Sequence, residues 1–166
     1  RVASARRAFD VAEARGSTAA LAPRLSQALR DIPASEWSGE LLISLTRALR
    51  EGGHAAEARA LLTSDPKLST NIPELRLETL LGDLREGASA RVVASLDSLA
   101  ARWSPARFTL AEAQFFAGMS DSALANYGRV TSDPRHPQAG LAFERLYLIE
   151  EAPTSPAVRT LGRIAW

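Results

Sequence analysis

No cysteine occurs in the 166 residues. A disulfide framework, a thiolate metal site and a cysteine nucleophile are therefore excluded, and such a chain is compatible with either cytosol or periplasm. Aromatic residues make up only 6%, so Ala, Leu and Val must fill most of the core. That favours closely packed helices, in which small side chains let neighbours approach. Lysine is reduced to Lys67 alone. Arg carries the remaining positive charge, a bias that GC-rich coding explains and that also suits carboxylate recognition. Neither sign of charge dominates: Lys+Arg 20 stand against Asp+Glu 19, for a net charge of +1. A dedicated nucleic-acid binder concentrates basic residues on one face, so no nucleic-acid partner is expected. No apolar run reaches the roughly 18 residues a membrane-spanning helix requires, and no signal peptide is visible. β-branched residues are sparse and no segment alternates with a period of two, so no strand is expected.

What is present is a recurrence of glycine. Gly16, Gly53, Gly87 and Gly118 each end an amphipathic stretch and are followed within a few residues by another. Their spacing scatters around a period of about 34 residues, and a fifth break falls near Ala152-Pro153. The turns read Ala14-Arg15-Gly16-Ser17, Glu51-Gly52-Gly53-His54, Arg85-Glu86-Gly87-Ala88 and Phe116-Ala117-Gly118-Met119. A glycine just past a helix end takes up the left-handed conformation without a Cβ clash.

Between these turns the apolar spacing is helical. Leu41, Leu45 and Ala48 share a face, beside Leu42 and Leu49. Leu77, Leu80, Leu81 and Leu84 make a second stripe, and Val92, Leu96, Leu99 and Trp103 a third. Ala123, Tyr127 and Val130 form a shorter one, and Leu141, Leu148 and Ile149 are assigned to one face of the next helix. Ser104-Pro105 and Ser155-Pro156 read as a capping Ser followed by Pro at the first helical position. Asn71 or Pro73 opens the helix that carries Glu74, while Asp65-Pro66 and Asp133-Pro134 end helices. The second helix from Ala55 to about Thr63 is short. All loops are short, so residues 1–166 are expected to form a single domain. The chain opens on Arg1 rather than Met and ends at Trp166 straight after a helical-looking segment, and is expected to be a fragment of a longer protein.

The stretch from Ser104 to Pro137, with Leu110-Ala111, Gly118, Ala123, Tyr127 and Asp133-Pro134, resembles the tetratricopeptide repeat family. Leu42, Leu45, Gly53, Ala58 and Leu62 form the second-best unit; Val92 stands where that family places Ala. The resemblance implies an all-α fold, a right-handed α-solenoid of about five helix-turn-helix repeats, in which Ala123 permits the close helix crossing and Tyr127 fills the gap toward the next unit. Tyr127-x-x-Val130 followed by His136-Pro137-x-Ala139 is also similar to bacterial cell-envelope proteins built of such repeats. That likeness favours the periplasm or cell envelope over the cytoplasm.

Such arrays bind a partner protein or peptide in a concave groove lined by successive first helices. The groove positions are Ile43 and Arg47, then Leu77 and Leu81, then Phe108 and Glu112. These do not supply the Lys/Asn/Arg carboxylate clamp of some family members. The expected groove patch is Arg47, Arg50, Arg76, Phe108, Glu112 and Phe115, the Arg side chains pairing with acidic groups and Phe anchoring an apolar one. Phe115 and Phe116 point about 100° apart. Either one lines the groove, or both are buried because a middle helix packs on two sides.

Catalytic patterns are missing: there is no His-Glu-x-x-His, Gly-x-Ser-x-Gly or P-loop sequence. The two histidines, His54 and His136, fall in turns and are read as solvent-exposed. Glu150-Glu151 is read as a solvated helix end, and Asp121 as an acid favoured at a helix start. Asp10 and Glu13 pair locally with Arg6 and Arg7. A non-enzymatic scaffold with no cofactor and no metal is therefore expected. The alternatives are a helical appendage of a larger cell-envelope enzyme and a subunit that self-associates through the ends of its array.

Overall fold

The computed structural model describes residues 1–33, 36–64, 71–87 and 89–151. Among these residues the protein is all-helical, with no strand. The helices are α1 (Val2–Ala14), α2 (Thr18–Ala28), α3 (Gly39–Glu51), α4 (Ala55–Thr63), α5 (Pro73–Glu86), α6 (Ala90–Ala100), α7 (Arg107–Phe116), α8 (Ser120–Thr131) and α9 (Ala139–Glu151). A single 3₁₀ turn, Ser104–Ala106, leads into α7. Ala152-Pro153, Ser155-Pro156 and Asp65-Pro66 lie outside the described residues.

The helix ends show why the chain reverses where it does. Gly16, Gly53 and Gly118 have φ of 64°, 83° and 79°. Each donates its N–H three residues back, to Glu13, Arg50 and Phe115, at 3.0, 3.2 and 3.0 Å. The following residue donates five back: Ser17 to Ala12, His54 to Leu49 and Met119 to Gln114, at 2.9, 2.8 and 2.9 Å. This is the Schellman closure, which satisfies carbonyls that a helix end would otherwise leave without partners. Gly87, at φ 140°, closes α5 differently: its N–H bonds Leu84 and its carbonyl accepts from Ser89. Ser89 then caps α6, its Oγ accepting from the Val92 N–H at 3.3 Å, as Ser38 Oγ does for Leu41 at the start of α3. Ser104 does not cap α7. It sits inside the 3₁₀ turn, because Pro105 and Ala106 complete a tighter turn before the α-helix begins.

The chain divides into two compact units, Arg1–Gly82 and Asp83–Trp166, the division falling within α5. In the first, α1 packs on α2, α2 on α3 and α3 on α4. The core joins Ala5 and Phe9 of α1, Ala22 and Leu25 of α2, Ala58 and Leu62 of α4 and Leu75 of α5 around Leu41, Leu42, Leu45, Ala48 and Leu49. Each buried Leu contributes about 1.5–3 kcal/mol of transfer free energy, so α3 carries the largest share. Pro23 sits within α2 and brings no N–H to the Ala19 carbonyl one turn back. Gly52 follows α3 at that same level: a Cβ there would meet the Ala19 carbonyl oxygen at 3.3 Å and the Ala19 Cβ at 3.4 Å. Glycine thus admits a close backbone approach at the α2–α3 contact.

In the second unit α6 packs on α7, α7 on α8 and α8 on α9. Every residue of α7 from Thr109 to Phe115 is buried, the condition of a helix covered on more than one side. Ala111, Ala123 and Tyr127 are fully buried in one cluster with Phe115, Val130, Ala142 and Ile149. The small side chains at Ala111 and Ala123 remove the bulk that would hold α7 and α8 apart. The inward face of α9 runs through Ala142, Leu146 and Ile149, which corrects the expected stripe. Leu141 and Leu148 point outward at 49% and 43% exposure, because each precedes its buried neighbour by one residue and is rotated about 100° from it.

Two glycines separate turn geometry from packing. A Cβ at Gly118 meets nothing within 4 Å, yet its φ is 79°. Gly118→Ala should destabilise by about 1–2 kcal/mol through left-handed strain alone. Gly128, inside α8 and equally open, should gain about 0.5–1 kcal/mol on replacement by Ala. Urea unfolding followed by circular dichroism checks both, and equal signs for the two variants would contradict the assigned turn.

Candidate functional site

Charged residues on the buried side of a helix demand partners, and among the described residues each unit contains one such carboxylate. Glu78 of α5 is 4% exposed, on the same side as Leu75 and Leu81. Its Oε1 accepts from Arg47 Nε at 3.1 Å and its Oε2 from Arg50 Nε at 2.7 Å. One carboxylate thereby ties α3 to α5 through two guanidinium groups three residues apart on α3. The Arg50 side chain is 13% exposed and that of Arg47 is 53% exposed, so Arg50 supplies most of the desolvated pairing while Arg47 keeps donors toward solvent.

Glu112 of α7 is 2% exposed. Its Oε1 accepts both from the Tyr127 hydroxyl of α8 and from Arg145 Nε of α9, the latter at 3.0 Å. One oxygen therefore joins three successive helices. Phe108 lies against the Tyr127 ring with centroids 5.9 Å apart and planes tilted by 59°. A second buried polar link runs between α7 and α8, where Asn126 Nδ2 donates to Gln114 Oε1 at 2.8 Å. Burial first, and then the Glu112 carboxylate, push the Tyr127 phenol far above its ordinary value, with Arg145 pulling the other way. The phenol is a permanent donor here and has no acid–base role at physiological pH.

Of the expected groove residues, Arg47, Arg50 and Arg76 belong to the first unit and Phe108, Glu112 and Phe115 to the second. Arg47 and Arg50 meet on Glu78, and Arg76 is half-buried on α5. Phe108 is half-buried on Tyr127. Glu112 and Phe115 present no surface to a partner. They are 2% and 8% exposed, because α7 is covered around its whole circumference. Phe115 packs edge-on to Phe116, ring centroids 5.8 Å apart, and Phe116 is half-buried.

His54 stands in its turn as expected, its Nδ1 3.1 Å from Glu57. His136 does not: it is 6% exposed. Its Nε2 lies 3.1 Å from the Ser104 carbonyl and its Nδ1 accepts from the Gln138 N–H at 3.2 Å. A carbonyl can only accept, so Nε2 carries the proton and the imidazole works as a structural bridge. Asp10 pairs with Arg6 at 2.8 Å, the local i,i+4 contact expected from the spacing.

Sequence reasoning missed Glu78, Arg145 and the Gln114–Asn126 pair. The signal for Glu78 was available, since it lies three residues from both Leu75 and Leu81 and so on their stripe. Arg145, 33 residues from Glu112, had no such local signal.

Among the described residues no group of three or more His, Cys, Asp and Glu side chains is placed to hold a metal ion, and no helix is long and apolar enough to cross a membrane. Among the described residues the protein is all-α, with chain neighbours packed together from α1 to α4 and from α6 to α9, and the buried Glu78 and Glu112 meet their partners within the chain. Comparison with family models, curated proteins and solved structures finds no match to the chain.

The Tyr127–Glu112 bond has a pH signature. The folded phenol holds its proton above the ordinary value of 10, so its contribution is complete below that pH. It declines as pH rises further, because the unfolded chain releases the proton first, by up to about 1.4 kcal/mol per pH unit. Tyr127→Phe should cost about 1–3 kcal/mol at neutral pH by leaving Glu112 short of a donor, and should flatten the alkaline decline. Urea titrations of both proteins at a series of pH values test this, and parallel alkaline slopes would refute it.

Proposed function

We propose that the chain is a tetratricopeptide-like repeat scaffold, a right-handed α-solenoid that binds a partner protein or peptide along the face of its first helices. The observation that carries this reading is the recurrence of one helix-end geometry at Gly16, Gly53 and Gly118, with the same pair of backbone hydrogen bonds each time. A repeated closure between consecutively packed helices is what a helix-turn-helix array requires. Among the described residues the buried carboxylates Glu78 and Glu112 are occupied by Arg and Tyr partners, which supports a binding reading over a catalytic one.

The binding contribution rests on the groove residues that retain surface. Arg47 meets Glu78 through Nε, and its side chain stays 53% exposed. A guanidinium oriented in this way loses less side-chain freedom on meeting an acidic partner. Arg76 offers a second guanidinium in the same unit. Partners captured from the native organism and identified by mass spectrometry should be depleted at least several-fold with Arg47→Ala and Arg76→Glu, while helical circular dichroism is retained. Undiminished recovery with both variants would reject this face.

A second reading, self-association, is favoured by one observation. Phe143 and Tyr147, one turn apart on α9, are 67% and 58% exposed, an unusual pairing of large apolar side chains for a surface helix. If this reading holds, light scattering should give a dimer or larger species that Phe143→Glu converts to monomer. A wild-type monomer across the micromolar range would remove it.

A further inference from the structure

The first unit contains an open cavity of about 680 Å³ lined by residues of α2 and α4 and of the chain just after α2. It shares no lining residue with the Arg47–Arg50–Glu78 cluster, so a ligand site here is separate from the proposed protein-binding face. Its larger apolar lining residues are Leu29, Ile32, Trp37 and Leu61, beside Pro23, Pro33 and Ala60. Leu29 and Trp37 are core residues, 1% and 8% exposed, and form a fixed floor beneath Ile32 and Leu61, which pack on that core and keep part of their surface open. The Trp37 indole N–H donates to the Ile32 carbonyl at 3.2 Å. That bond holds the ring in place and removes its polar atom from competition for a ligand.

Two guanidinium groups line this cavity. Arg24 and Arg30 are both exposed, and neither has an ion-pair partner among the described residues. In this they differ from Arg6, Arg47, Arg50 and Arg145, all of which meet a carboxylate. The acid in the lining is Glu57, whose carboxylate faces His54 Nδ1 at 3.1 Å. The lining therefore carries two positive charges against one negative charge, beside an apolar wall. A purely apolar ligand would not use the Arg side chains, and an inorganic anion would not use the wall.

We propose that this cavity binds a small amphipathic organic anion, its acidic group met by Arg24 and Arg30 and its flat apolar body laid on Ile32 and Leu61 over the edge of Trp37. The volume falls in the range of about 300–1,000 Å³ that small-ligand sites occupy. Guanidinium supplies the planar pair of donors a carboxylate accepts.

Titration with naphthoate tests the assignment on nitrogen-labelled protein, read at the indole N–H signal of Trp37, which Trp37→Phe identifies. The expected result is a saturable shift of that signal. Naphthamide, which keeps the shape and loses the charge, should bind at least about tenfold more weakly, and so should naphthoate to the Arg24→Ala/Arg30→Ala variant. Both Arg side chains are exposed, so the variant should retain the wild-type circular dichroism, which confirms that lost binding is not lost folding. Acetate should leave the signal unmoved, because it lacks the apolar body. The proposal is overturned by an absence of saturation up to about 1 mM naphthoate, or by equal affinity for acid and amide.

Discussion

The structure depends on one constraint: a helix can bury its apolar face against its chain neighbour only if the chain reverses within a few residues. The left-handed glycine supplies that reversal. At Gly16, Gly53 and Gly118 the closing bonds come from the turn itself, and the next helix begins within a few residues of the glycine. Consecutive helices then lie side by side, and small residues such as Ala111 and Ala123 set how near they come. Few aromatic side chains are needed because little space is left to fill.

A helix packed on more than one side creates a second requirement. Its polar residues have no route to water and must be satisfied by neighbouring helices. In α7 this applies to Glu112 and Gln114, and both find partners on the next helices along the chain. Glu78 is met from α3 by two arginines. Removing one partner from such a set leaves the buried carboxylate short of a donor, while the second partner still neutralises or bonds it. Each carboxylate thus links one particular set of helices, α3 with α5 and α7 with α8 and α9.

The helices, the glycine turns and the short α4 are legible in the sequence, because each depends on local periodicity or on a backbone conformation that glycine favours. The rotation of α9 is not: Leu141, Leu148 and Ile149 are equally apolar, and only the α8 surface decides that Ile149 turns inward. Glu112 and Phe115 look like groove residues on the premise that a first helix keeps one face free. The cover around α7 removes that face. His136 is legible as a turn residue but its environment is not, since its partner at Ser104 lies far away in sequence. The spacing of Arg47 and Arg50 suggests charge partners on another molecule, whereas Glu78 already supplies one within the chain.

The His136 bridge has a consequence for how this chain tolerates change in length. Its ring is fixed at one end by the Gln138 amide, two residues on, and at the other by the Ser104 carbonyl, 32 residues back. The imidazole thus gauges the distance between the entrance of α7 and the exit of α8. A residue inserted within either helix would rotate everything beyond it by about 100° and carry the ring away from its carbonyl. Residues added at the Gly118 turn would leave both ends of the gauge in register. Variation in the length of this segment is thereby directed to one point on the surface, where a loop can grow without disturbing the helices that bear it.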